Sequence, residues 1–253
     1  VLRALEDRHL YRGTKASDGW VPPPDGLPVE ELTLTSADGD AIHAWWVAPD
    51  GWKPADGAIH YSHGNGGNLS HRGGTLAGYR KFGYAVLIYD YPGYGKSGGR
   101  PTEAGLYAAG EAAHRWLTET KGVPSERVIL YGGSLGGAVA TELATRHPCR
   151  ALVLAAAFTS VPDMAQRQFW FLPARWFVRT RMDNLAKLAT LACPVFVTHG
   201  TADRVVPFAM GERLVAAARG PKFFLPAPGR DHHDVIGPEF FPALAAFLSR
   251  DGS

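Results

Sequence analysis

Six short, continuous apolar runs punctuate this chain: Ala58–Ser62, Ala85–Tyr89, Val128–Tyr131, Ala151–Ala156, Val195–Thr198 and Lys222–Leu225. Helix-period stretches separate most of them, over Leu69–Phe82, Thr102–Thr120, Leu135–Arg146 and Phe208–Ala218. A strand that is apolar at every position is buried on both faces. Such strands alternating with helices predict an α/β fold, a mostly parallel sheet between helix layers. Upstream, Glu30–Thr35 alternates apolar and polar residues, Asp38-Gly39 signals a tight turn, and Ala41–Ala48 reads as a second strand. That pattern predicts an antiparallel hairpin at the sheet edge. A short helix at Val1–Leu10 and an irregular, proline-rich arm reaching residue 28 come first.

Between Phe158 and Leu191 the rhythm breaks. This interval carries Met164, Phe169, Trp170, Phe171, Leu172, Trp176, Phe177 and Met182, which is too apolar for a solvent loop. It predicts one or two short helices lying over the carboxyl ends of the sheet, a cap spanning about residues 158–190. The 253 residues are read as a single domain.

Composition excludes several classes. A net charge of +2, from 26 basic and 24 acidic residues, is not that of a strongly basic nucleic-acid binder. The longest apolar run, Ala151–Phe158, is far short of the ~20 residues a membrane span needs. The first residue is Val1 rather than Met, which leaves room for a signal or an N-terminal anchor upstream. A cytoplasmic protein is favoured over a tethered or exported one. Two cysteines without a CxxC pattern make neither a disulfide scaffold nor a redox motif.

Gly132-Gly133-Ser134-Leu135-Gly136 matches G-x-S-x-G, and so does Gly95-Lys96-Ser97-Gly98-Gly99. Context separates them. The chemistry needs a strand, a sharp turn carrying a strained serine, then a helix. Ser134 follows Arg127–Tyr131 and precedes the helical pattern of Gly137–Arg146, whereas Ser97 lies among Tyr91-Pro-Gly-Tyr-Gly95 and Pro101, a loop. Ser134 is the candidate nucleophile. The alternative is a glycine-rich helix start that binds phosphate. It is weakened because neither a G-x-x-x-x-G-K-[ST] nor a G-x-G-x-x-G pattern occurs at this turn.

A serine hydroxyl needs a base, and the base needs an orienting acid, which on this strand–turn–helix follow in the order Ser, acid, His. Asp203 lies after the run Val195–Thr198, at a strand's carboxyl end; otherwise it caps the helix beginning near Pro207. The base is His232, with its neighbour His233 as the alternative. His63 and His199 each precede a glycine at a strand end and read as packing or hydrogen-bonding residues. Backbone N–H groups must meet the developing oxyanion. Leu135, after the nucleophile, supplies one. The loop His63-Gly-Asn-Gly-Gly-Asn68 supplies the other, from Asn65 or, next, Gly66; a phosphate cradle is the competing reading of that loop.

The segments His63–Asn68, Asp90-Tyr-Pro-Gly-Tyr-Gly-Lys-Ser97, Gly132–Gly136 and His199-Gly-Thr-Ala-Asp203, with His232, together resemble the α/β-hydrolase superfamily over about Glu30 to Leu248. The branch it most resembles is the small hydrolases with an HGNxGN loop and a short cap, which include esterases and thioesterases. The resemblance implies an eight-stranded sheet and the triad Ser134, Asp203 and His232. One departure is the pair His232-His233, where that branch usually has His followed by Asn.

The implied activity is a serine hydrolase of the carboxylesterase type, acting on a small-molecule ester with no cofactor and no metal. Thioesterase and peptidase use the same triad, and a non-catalytic binding protein is the reading from another class. An apolar acyl pocket is expected between Ser134 and the cap, with Met164, Trp170, Phe171, Trp176 and Phe177 as walls and Phe158 at its base. The competing reading is that about half of these pack the cap onto the sheet. So short a cap suits short to medium acyl chains. Monomer and homodimer both stay open. Cys149 and Cys193 each lie two residues before an apolar run, so on neighbouring strands they sit at similar depth; two thiols are favoured over a bridge.

A neutral imidazole is required to take the serine proton, so activity should fall as the pH drops below about 6–7. A rate that stays flat from acid to alkaline pH would remove His232 from the base role.

Overall fold

The edge hairpin forms where its pattern puts it. In the computed structural model, which describes residues 10–250, β1 (Glu30–Thr35) and β2 (Ala41–Val47) pair antiparallel, and the chain reverses over Ser36–Asp40 with Gly39 at φ 82°. That φ is open to glycine without strain. Six further strands follow: β3 (Ala58–Ser62), β4 (Ala85–Tyr89), β5 (Val128–Gly133), β6 (Ala151–Ala155), β7 (Val195–Gly200) and β8 (Lys222–Ala227). The sheet order is β1-β2-β4-β3-β5-β6-β7-β8. The helix expected at Val1–Leu10 lies outside the described residues except for Leu10.

The chain divides after Leu130 into two compact units. In the first, β2 runs antiparallel to β4, and β3 runs parallel to β4. Although β2 belongs to an antiparallel pair, its residues Ile42–Val47 are buried. Trp20 of the arm covers Trp45 edge-on at 5.5 Å, while Trp46 packs against Trp52 and Trp116 at 5.0 and 5.5 Å. The arm is tied down by backbone bridges from Gly13 to Gly67 and from Lys15 to Gly95.

Two helices of this unit differ from the sequence reading. The stretch Leu69–Phe82 is a 3₁₀ turn over Leu69–Arg72 and then α1 (Gly73–Lys81). Asn68 caps the turn by accepting from Ser70 N–H, and Gly73 passes so near Pro24 that a Cβ there would meet its ring at 2.5 Å. The stretch Thr102–Thr120 is α2 (Glu103–Arg115) followed by a π turn over Trp116–Thr120. Thr118 Oγ1 donates to the carbonyls of His114 and Arg115 at 3.1 and 3.3 Å. A hydroxyl that competes for helix carbonyls loosens the α ladder at that point.

In the second unit β6, β7 and β8 run parallel, with Leu152 opposite Val195 and Val195 opposite Lys222. Helices α3 (Leu135–Arg146) and α6 (Phe208–Ala217) match the predicted stretches closely. The interval after β6 holds α4 (Val161–Gln168), a 3₁₀ turn at Ala174–Trp176 and α5 (Asn184–Leu188). Its neck is closed by Val161 N–H to Arg181 O, Leu185 N–H to Thr159 O, and Asn184 Nδ2 to Phe158 O. A last helix, α7 (Phe240–Arg250), was not anticipated. Its signal was present: Phe240, Leu244, Phe247 and Leu248 are spaced to share one face, and all are buried. The rings of Phe240 and Phe247 stand 5.8 and 5.6 Å from that of Phe196 in β7.

Cys149 and Cys193 are free thiols joined by a hydrogen bond. That bond, with burial, pushes the Cys149 thiol up, while Cys193, its partner, is lowered. Intact mass should therefore be the same before and after reduction; a gain of two hydrogens on reduction would reveal a bridge instead.

Candidate active site

The serine is held by backbone geometry. Ser134 sits between β5 and α3 at φ 49° and ψ −113°. A non-glycine residue at positive φ and such a ψ is strained, at a cost of about 1–3 kcal/mol. Three features over-determine it. Ser134 N–H donates to Ala155 O at the end of β6 (2.9 Å), and Gly137 N–H donates to Ser134 O (3.0 Å). Strand and helix also approach too closely for side chains: a Cβ on Gly132 would stand 2.5 Å from Gly137 Cα, and one on Gly137 would stand 2.8 Å from Ala157 Cβ. The turn leaves Leu135 as the first residue of α3, where a helix has no internal acceptor for its N–H.

His232 and Asp203 come from loops after β8 and β7. His232 Nε2 lies 3.0 Å from Ser134 Oγ, and His232 Nδ1 lies 2.8 Å from Asp203 Oδ2. An ionised carboxylate only accepts, so Nδ1 carries the proton and Nε2 is left to accept from the serine hydroxyl. Of the adjacent pair, only His232 bridges these two side chains; His233 stands edge-on to it with ring centroids 5.3 Å apart.

Asp203 is saturated with donors. Its Oδ1 accepts from the N–H groups of Val205 and Val206, both at 2.8 Å. His199 Nε2, within hydrogen-bond distance of Val206 O (2.9 Å), lies 3.3 Å from Asp203 Oδ2. Burial raises the pKa of this carboxyl, but the hydrogen bonds from His199, His232 and Val206 outweigh it and hold Asp203 well below the usual carboxylate range. The sign follows: its ionised form stabilises the folded state above the unfolded carboxyl's range, and that contribution is lost as the pH falls through the lowered value.

The sequence reading missed Asp231. It accepts from Arg204 N–H at 3.0 Å and from the Arg204 guanidinium, and also from His232 N–H at 2.8 Å. The Arg204 N–H, the His232 N–H and then the Arg204 side chain bring Asp231 down to about 2. This pair clasps the loop carrying His232 to the loop carrying Asp203.

The glycine-rich loop is built within the first unit. The side chain of Asn65 is turned toward the arm and Tyr94: Oδ1 accepts from Arg12 N–H and Tyr94 Oη–H, and Nδ2 donates to Leu10 O. Below the loop, buried Asp90 accepts from Leu69 N–H at 2.8 Å and lies 3.3 Å from His63 Nε2. Tyr91 Oη–H donates to His63 O at 2.6 Å. Ser97, the second motif match, is a pin: it accepts from His43 N–H and donates to Asp90 O.

The expected pocket residues divide. Phe158 is buried and Met164 half-buried. Trp170, Phe171, Trp176 and Phe177 are 65–81% exposed. In this structure those four rings form no enclosed wall. The neck of the insertion is fastened by hydrogen bonds, whereas its tip is held mainly by short-range turns within the insertion.

A family described as "Serine aminopeptidase, S33" matches residues 53–187, just over half of the chain. Uncharacterized protein Rv2307c of Mycobacterium tuberculosis is 35% identical over 222 residues, which cover 87% of this chain and 79% of that protein. Among solved structures, esterase Pf2001 of Pyrococcus furiosus superposes with a TM-score of 0.72 at 20% identity, covering 95% of this chain and 97% of that one. The α/β hydrolase GrgF from a Penicillium species gives a TM-score of 0.70 at 18% identity, with 88% and 99% covered. At those identities the likeness is one of fold, the α/β-hydrolase fold.

The close approach at the serine turn should be intolerant of a single methyl. Gly132→Ala should destabilise the protein by about 1–3 kcal/mol through overpacking. Thermal unfolding should register this as a midpoint lower by about 2–4 °C for each kcal/mol. An unchanged midpoint would mean that strand and helix can separate freely there.

Proposed function

We propose that this chain, which belongs to the S33 serine aminopeptidase family of α/β-hydrolases, cleaves carboxylic esters of short to medium acyl chains through an acyl-enzyme. The observation that carries the reading is the run of short contacts from Ser134 Oγ through the His232 ring to Asp203 Oδ2, with the serine in a strained turn. Ser134 Oγ attacks the ester carbonyl carbon while its proton passes to His232 Nε2. The imidazolium that forms is stabilised by ionised Asp203, which also keeps the ring in the tautomer that can accept. The developing oxyanion is met by the N–H of Leu135, with Asn65 as the second donor that the sequence pattern proposes.

Collapse of the tetrahedral intermediate expels the alcohol, which takes the proton from His232. Water then attacks the acyl carbonyl carbon, giving its proton to His232; collapse breaks the bond to Ser134 Oγ, which takes that proton back as the carboxylic acid leaves. Ester chemistry is supported by the fold shared with the Pyrococcus esterase. The name of the matched family favours a second reading, cleavage of the N-terminal residue from a peptide, with the same groups in the same roles.

p-Nitrophenyl esters from acetate to palmitate, run beside aminoacyl p-nitroanilides, separate the two. Turnover should peak at short or medium esters. Ser134→Ala should lower it by several orders of magnitude, and Asp203→Asn by on the order of 10⁴-fold in kcat. Turnover confined to the anilides would replace the ester reading with the peptide one. Turnover of neither substrate would remove both.

A further inference from the structure

Phe169, Trp170, Phe171, Leu172, Trp176 and Phe177 stand on the surface in one short segment of the insertion between β6 and β7, each 47–81% exposed. The other exposed large apolar side chains among the described residues, Val21, Phe82 and Val205, are scattered in sequence. Scattered ones need no explanation, whereas a contiguous group marks a surface that something else covers.

The segment has a defined shape. α4 ends with Phe169 N–H donating to Ala165 O, and turns follow from Leu172 N–H to Phe169 O, Trp176 N–H to Pro173 O and Phe177 N–H to Ala174 O. Gln166 Nε2 braces the tip through Leu172 O at 2.8 Å, and Ala174 is buried beneath it. These backbone bonds are satisfied locally, yet the rings they carry point outward.

Charge indicates what covers them. From the end of α4 to the neck at Arg181 the tip carries three arginines, Arg167, Arg175 and Arg179, and no acidic residue, with Asp163 and Asp183 at the neck. All three are exposed. The tip therefore carries +3, where the whole chain carries +2. Aromatic rings at headgroup depth, with cations against anionic phosphates, are the side chains of a lipid–water interface. A second copy fits poorly, because two-fold pairing through this face would set the arginines of one tip against those of the other. No helix among the described residues is long and apolar enough to cross a membrane, so contact of this kind is with the surface.

We infer that the tip of the insertion is a docking surface for an anionic lipid bilayer, with its aromatic rings inserted among the headgroups and its arginines set against their phosphates. The inference is independent of which bond the enzyme cleaves, and it is read by binding.

The test is cosedimentation of the full chain with phosphatidylcholine vesicles, with and without phosphatidylglycerol, at low and high salt. Strong partition onto the anionic vesicles is expected, weakened by salt. The double variant Phe169→Ser, Leu172→Ser and the double variant Arg167→Gln, Arg175→Gln should each reduce partition at least tenfold, with melting temperatures as in the parent. The arginine variant should also lose most of the salt dependence.

Absence of partition onto either vesicle would overturn the proposal. So would variants that bind as the parent does. So would a concentration-dependent dimer in sedimentation velocity that the Phe169→Ser, Leu172→Ser variant abolishes, since the covering surface would then be another copy.

Discussion

The turn at Ser134 is the constraint on which the site depends. A strand and a helix can meet at so sharp an angle only where neither carries a side chain at the crossing, and Gly132 and Gly137 meet that condition. The serine between them is then forced to φ 49°. About 1–3 kcal/mol of backbone strain is held there by hydrogen bonds to Ala155 and from Gly137. Because the conformation is imposed from both sides, the hydroxyl has little freedom to wander from His232. Fixing a reacting group before substrate arrives removes an entropic part of the barrier.

Two buried aspartates, one in each unit, solve the same electrostatic problem. A carboxylate removed from water needs donors in its place. Asp203 takes them from two backbone N–H groups and two histidines, which leaves it ionised and aimed at His232. Asp90 accepts from Leu69 N–H and lies 3.3 Å from His63 Nε2 and 3.8 Å from His43 Nδ1, and so sits against both ends of the glycine-rich loop. For Asp90 too, burial raises the carboxyl, and the two neighbouring histidines with the Leu69 N–H prevail in lowering it. His60, by contrast, buried against Gly110 O, is pushed down to about 3 by desolvation and then by His114, and stays neutral.

The insertion after β6 shows how far apolar composition can be trusted. Its richness in Trp and Phe argued for burial, and part of it obeys: Phe158, Val161, Met182 and Leu188 are inside. The tip does not. Hydrophobicity states that a side chain gains by leaving water, without naming the partner that lets it do so. Within one chain the partner is the protein core; at a surface rimmed with arginine it is external.

Local periodicity and local turn chemistry made much of the fold legible before any long-range contact is considered. The strand runs, the helix after Ser134 and the strand–turn–helix setting of Ser134 as against the loop setting of Ser97 were legible because each depends on a few consecutive residues. Tertiary structure decided whatever depended on contacts between distant residues. The helix at Leu69–Phe82 begins as a 3₁₀ turn where Gly73 meets Pro24. His232 rather than His233 faces Ser134 because the loop is clasped through Asp231 to Arg204, 27 positions away. The cap aromatics point outward for the same reason: a one-dimensional pattern records each residue's preference for burial, and only the folded chain determines which surfaces are left to satisfy it.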